Sequence, residues 1–117
     1  MPTKIGQNFE MRSGDDRVLK VTVTDADAGG LKNLTGATIV WRLSRKIGGP
    51  AVITKQSGGQ GIEIPVGTDG VFEVTLAPAD TAGLRGDFVH EAEVTDSDGK
   101  KATVTVGRLT IHRDMIE

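Results

Sequence analysis

The chain of 117 residues contains no cysteine. That excludes disulfides, thiolate zinc sites and a thiol nucleophile, and it fits synthesis in a reducing cytosol. Tyrosine is also absent, and Phe9, Trp41, Phe72 and Phe88 are the only aromatic residues, too few to line a base-stacking surface once a core has been supplied. Neither sign of charge dominates: the formal net charge is −2 and the isoelectric point lies near 5.7. A general attraction to nucleic-acid phosphates or to an anionic membrane is therefore not expected. Residues 1–10 have no apolar stretch of the signal-peptide kind, and no later run approaches the ~20 apolar residues that span a bilayer. The expectation is a soluble chain without an export signal. The length suits one domain, residues 1–117, with no internal repeat, low-complexity tract or long linker.

Helical periodicity is nearly missing; apolar residues instead recur at every second position, which places them on one face of a strand. Leu19, Val21 and Val23 alternate with Lys20, Thr22 and Thr24. Ile39, Trp41 and Leu43 alternate with Val40, Arg42 and Ser44, and Phe72, Val74 and Leu76 with Glu73 and Thr75. Phe88, His90, Ala92 and Val94 share a face opposite Glu91, Glu93 and Thr95, and Ala102, Val104 and Val106 repeat the pattern. Asp96-Ser97-Asp98-Gly99 between these last two runs is a tight-turn signal, so they are predicted to form an antiparallel hairpin. The apolar parity moves from Val104 and Val106 to Leu109 and Ile111, which predicts a β-bulge at Gly107-Arg108.

Shorter strands are expected at 7–11, 52–56 and 61–64, giving about eight in all. Pro78 to Leu84 is the one candidate helical turn, with Pro at its start and Gly83 at its stop. Residues 1–6 and 113–117 read as loose ends. Many short strands with turn signals between them indicate an all-β sandwich of about 7–9 strands, one short helical turn near 78–84, and Trp41 in its core.

No residue set for chemistry emerges. No Gly-x-Ser-x-Gly elbow is present, and His90 and His112 fall on separate strands. His90 shares the face of Phe88 and Val94, so it reads as a core histidine satisfied locally, with metal ligation the minor alternative. Asp25-Ala26-Asp27 and Asp96-Ser97-Asp98-Gly99 superficially resemble calcium loops but lack the later bidentate Glu; they read as turn chemistry, with a weak calcium site the minor alternative. Ser57-Gly58-Gly59-Gln60-Gly61 precedes a strand rather than a helix, which fits a flexible turn and not a phosphate cradle. Arg42, Arg45 and Lys46 form a candidate basic strip, read as a solvated strand face with interprotein contact as the alternative. Asn33-Leu34-Thr35 matches a glycosylation sequon that carries no weight without export. No catalytic, cofactor-binding or metal-binding residue is assigned, and no cofactor is expected.

Three segments resemble one family. Leu34-Thr35-Gly36-Ala37 followed by Trp41-Arg42-Leu43, the Arg12-Ser13-Gly14-Asp15-Asp16 turn with Val18 to Asp25, and Leu76 to Thr81 with Gly86-Asp87-Phe88 and the closing 93–111 segment are similar to the immunoglobulin-like domain of phage baseplate upper proteins and small prophage tail proteins. The chain departs from that pattern at Phe88 and His90, where an aromatic pair is usual, and the lack of tyrosine excludes a tyrosine corner. The resemblance implies an immunoglobulin-like antiparallel β-sandwich and a non-catalytic structural or interaction protein of a tailed-phage or prophage particle. Such a protein is made in the bacterial cytoplasm and carried in the virion. Its expected partners are other particle proteins, with homo-oligomerisation through sheet edges also expected, and no nucleic acid or membrane. The alternative is a carbohydrate-binding or adhesion module of a bacterial protein.

Overall fold

The computed structural model describes residues 5–6, 8–23, 30 and 32–113. Among them the strands are β1 (Ile5–Gly6), β2 (Phe9–Arg12), β3 (Arg17–Thr22), β4 (Thr38–Ser44), β5 (Ala51–Ser57), β6 (Gly61–Glu63), β7 (Val71–Leu76), β8 (Gly86–Thr95) and β9 (Lys101–His112). One helical turn, α1 (Pro78–Thr81), precedes β8, and a 3-10 turn that the sequence pattern did not announce spans Gly67–Asp69. Hydrogen bonding runs in the order β1-β9-β8-β4-β5-β6-β7-β3, with β2 also on β9.

Chain connectivity shows that this path is folded on itself. β2 and β3 stand at opposite ends of it, yet only residues 13–16 join them. That link reaches at most about 18 Å, whereas a flat sheet would separate the two strands by about 30 Å. The path therefore closes into two layers, with its corner at the short parallel contact of Gln56 with Gly61 and Ser57 with Ile62. One layer holds β1, β2, β9, β8, β4 and β5; the other holds β6, β7 and β3. This is an immunoglobulin-like β-sandwich.

The alternating side chains meet between the layers. Leu19, Val21, Ile39, Trp41, Leu43, Phe72, Val74, Leu76, Phe88, Ala92, Val94, Leu109 and Ile111 are all buried in one cluster. Three expectations need correction. Ile5 and Gly6 are no loose end: they pair in parallel with Thr105 and Val106. Not every pairing is antiparallel, because β1 and β2 also run parallel to β9. The bulge lies upstream of Gly107: Ala92 pairs with Thr105 but Glu93 with Thr103, so Val104 is the extra residue. Gly107 stays in register opposite His90, where a residue without a side chain adjoins an imidazole on the inner face. Asp25-Ala26-Asp27 and residues 1–4 and 114–117 lie outside the described residues.

Candidate functional site

The Leu34-Thr35-Gly36-Ala37 segment is a structural device. The Ala37 N–H donates to the Leu34 carbonyl at 3.0 Å, and Gly36 at φ +76 occupies the third position of this turn, the pattern of a type II turn. A side chain there would also crowd Ser97 Cβ at 3.2 Å, so this turn packs against the β8–β9 hairpin tip. Leu34 is fully buried, and its N–H donates to the Gly67 carbonyl at 2.7 Å. The Asn33 carboxamide accepts from the Thr35 N–H at 2.9 Å, so the sequon serves as a turn brace.

His90 is where the alternation placed it, in the core, and it is only 1% exposed. Trp41 Nε1–H donates to His90 Nδ1 at 3.2 Å. An accepting Nδ1 carries no proton, which places the proton of the neutral ring on Nε2. Phe9 meets the imidazole edge-on at 5.3 Å between centroids, and Arg17 lies over the Phe9 ring at 5.3 Å. The row Arg17, Phe9, His90 and Trp41 thus runs from the surface into the interior. It links β2, β4 and β8 through one buried row of rings. The lone indole and the histidine were each legible as core residues. Their mutual hydrogen bond was not, because it depends on the cross-strand register that sets Trp41 beside Ala92 and Leu43 beside His90.

The other ionisable candidates are separated. His112 Nε2 lies 2.7 Å from Glu10 Oε1 at the exposed β2–β9 edge. Asp96 takes Lys32 Nζ at 2.9 Å, while the Asp96 carbonyl accepts from the Gly99 N–H. The Asp96 to Gly99 segment is therefore a braced hairpin turn. Among the described residues, no three carboxylate or imidazole groups converge as a metal ion requires.

The basic strip does not persist as a unit. Arg42 stands opposite Glu91 on the outer sheet face, beside Glu93. Arg45 instead lies over the Phe88 ring at 4.8 Å. Ser57, Gly58 and Gly59 rim an open hollow with Ala37, Ile62, Ile64 and Pro65. The Gln56 N–H donates to the Gln60 carbonyl, closing the loop between β5 and β6 as a turn.

A polar clamp that sequence patterning missed holds α1. Asp80 Oδ2 accepts from the Ala77 N–H at 2.7 Å and from Lys55 Nζ at 2.8 Å. Burial pushes the Asp80 carboxyl up, but the Lys55 hydrogen bond, the Ala77 N–H and the Lys55 charge together hold it below its ordinary value. Next to it, Ser13 Oγ donates to the Thr81 carbonyl at 2.8 Å, and the Gly14 N–H donates to Thr81 Oγ1 at 2.9 Å. The crossing from β2 to β3 is tied to α1 by these two bonds.

No family model matches the chain, and no curated protein does. Among solved structures it is similar to AggA, the major subunit of aggregative adherence fimbriae type I from Escherichia coli, with 18% identity, 95% of this chain and 91% of that chain covered, and a TM-score of 0.40. It is also similar to murine CRIg, with 14% identity, 97% and 98% covered, and a TM-score of 0.40. At that level of superposition neither likeness bears on function.

Proposed function

We propose that the chain is a non-catalytic structural and interaction module that works in the particle of a tailed phage or prophage, binding other particle proteins through its edges and loops. The observation that carries the non-catalytic part is the Trp41–His90 hydrogen bond. It commits a fully buried imidazole to the core, and among the described residues the other ionisable candidates lie apart on turns and edges, with His112 beside Glu10 and Asp96 beside Lys32, which supports a reading without an assembled catalytic set. The particle assignment is supported by the resemblance of residues 12–25, 34–43 and 76–111 to phage immunoglobulin-like domains. The adhesion alternative gains nothing from Trp41, whose indole is 0% exposed and offers a glycan no stacking platform.

The test is sedimentation. Lysates of induced cells that make this chain are fractionated on a density gradient, and an antibody against the folded domain is used to follow it. The chain is expected in the tail or whole-particle fractions. Recovery only from the soluble or secreted fraction would refute the particle assignment, and saturable glycan binding there would favour adhesion.

A further inference from the structure

Among the described residues the sandwich has several edges, and all but one are blunted. The β1–β2 edge is broken into segments of two and four residues, and across the break Asn8 Oδ1 accepts the Arg108 N–H at 2.8 Å. The β5 edge is bulged at Val52, since Leu43 pairs with Ile53 but Ser44 with Ala51; it also follows Pro50 and carries Lys55, whose ammonium is paired with Asp80. β6 is three residues long. Short strands, bulges and proline are ordinary guards against unwanted pairing. β3 has six residues, no proline and an unbroken register with β7, from Arg17 opposite Leu76 to Thr22 opposite Val71.

The direction of its hydrogen bonds follows from antiparallel alternation. The Val23 N–H donates to the Gly70 carbonyl at 2.7 Å, so Val21, Leu19 and Arg17 bond toward β7. Val18, Lys20 and Thr22 turn their N–H and C=O groups the other way. Among the described residues no strand pairs with that side.

We propose that β3 is the acceptor edge for an extended strand of a partner protein, with an acidic side chain opposite Lys20 and an apolar one beside Val18. Charge and exposure select this occupant. β3 contains two charged residues, Arg17 and Lys20, both basic. The Arg17 guanidinium already lies over Phe9, whereas Lys20, across from Glu73, makes no ion pair among the described residues. Val18 is 54% exposed on the same outer face. A second copy of this chain is the poorer occupant, because the two equally overlapping two-fold registers of β3 on β3 set Lys20 against either Lys20 or Val18, and β3 has no acidic residue to place opposite Lys20 in either. Backbone bonds supply affinity in such strand addition, and alternate side chains supply selectivity.

The inference rests on the proposed function only in taking the module to bind protein. Its test uses the whole chain and a synthetic peptide of alternating Val and Thr with one central Glu, followed by amide hydrogen exchange. The peptide is expected to slow exchange at Val18, Lys20 and Thr22, and its Glu-to-Lys counterpart to bind about tenfold more weakly. Lys20→Gln, which removes the charge without setting a carboxylate opposite Glu73, is expected to abolish that preference. Protection of other amides, equal binding of both peptides, or protection of the same amides by the protein alone at rising concentration would each overturn the proposal. A chain missing from particles that still shows the peptide-dependent protection would refute the particle assignment alone. A chain present in particles without that protection would refute the acceptor edge alone.

Discussion

The two layers are built on different terms. β4, β8 and β9 have seven, ten and twelve residues; β4 brings Trp41, β8 Phe88 and His90, and β9 Leu109 and Ile111 to the interior, with a directional bond from indole to imidazole inside an otherwise apolar face. β3, β6 and β7 have six, three and six residues and contribute Leu19, Val21, Ile62, Phe72, Val74 and Leu76, with no hydrogen bond between side chains at their inner face among the described residues. Apolar contact is tolerant of small shifts, whereas a buried donor and acceptor must meet within a few tenths of an ångström or both stay unpaired. The longer layer therefore specifies where strands sit. The shorter one supplies burial and ends in β3, whose outer side pairs with no strand among the described residues.

The sharpest way to break this contrast is truncation of one large residue in each layer. Trp41→Ala and Phe72→Ala are each expected to lose about 3–5 kcal/mol in urea-induced unfolding, with Trp41→Ala the costlier because it also orphans His90 Nδ1. Equal losses would mean that the hydrogen bond adds nothing to packing.

The bond itself is probed by His90→Leu, which keeps an apolar side chain of similar reach but leaves the indole N–H buried without its acceptor. The expected loss is about 1–3 kcal/mol. A cycle with Trp41→Phe isolates the coupling: the double variant should be less damaged than the sum of the single variants, since neither group is then left unpaired. Additive losses would show that the two rings act independently.

What the sequence conveyed depended on range. Two-residue alternation is a local signal, and every inward position it marked on β3, β4, β7 and β8 is buried. The terminal hairpin and the helical turn after Pro78 were likewise local, carried by Asp, Gly and Pro. The bulge was misplaced at Gly107 because parity shows that a residue has been inserted, not where; the partner strand decides that, and it places the extra residue at Val104. Pairings between distant segments were out of reach. His90 with Trp41, Lys55 with Asp80 and Ser13 with Thr81 join positions 49, 25 and 68 residues apart, and no spacing rule announces them. The Gly-rich 57–61 segment was legible as a turn because a strand follows it, and the Gln56–Gln60 hydrogen bond bears that out; the Arg42–Lys46 run was visible too, but only the structure divides its arginines between Glu91 and Phe88.

The crossing between layers depends on Thr81, which is fully buried. Thr81→Val preserves the shape and removes the acceptor of the Gly14 N–H, for an expected loss of about 1–2 kcal/mol. If the layers were held by apolar contact alone, this change would be neutral in the same unfolding assay.

The smallest effect is expected at the Lys55–Asp80 clamp, which is only partly covered. Asp80→Asn should cost under about 1 kcal/mol near neutral pH, in line with ion pairs at protein surfaces. Its pH dependence is more informative than its size. The folded carboxyl titrates below its ordinary value, so the unfolded chain binds a proton first as pH falls. The contribution is therefore complete above the unfolded value of about 3.9 and is lost as pH drops through the lower, folded value. Unfolding free energies of the parent and Asp80→Asn should differ by a constant amount from neutral pH down to about pH 5 and converge below about pH 4. A gap that stayed open in acid would assign the effect to helix capping by a neutral side chain and remove the charge of Lys55 from the account.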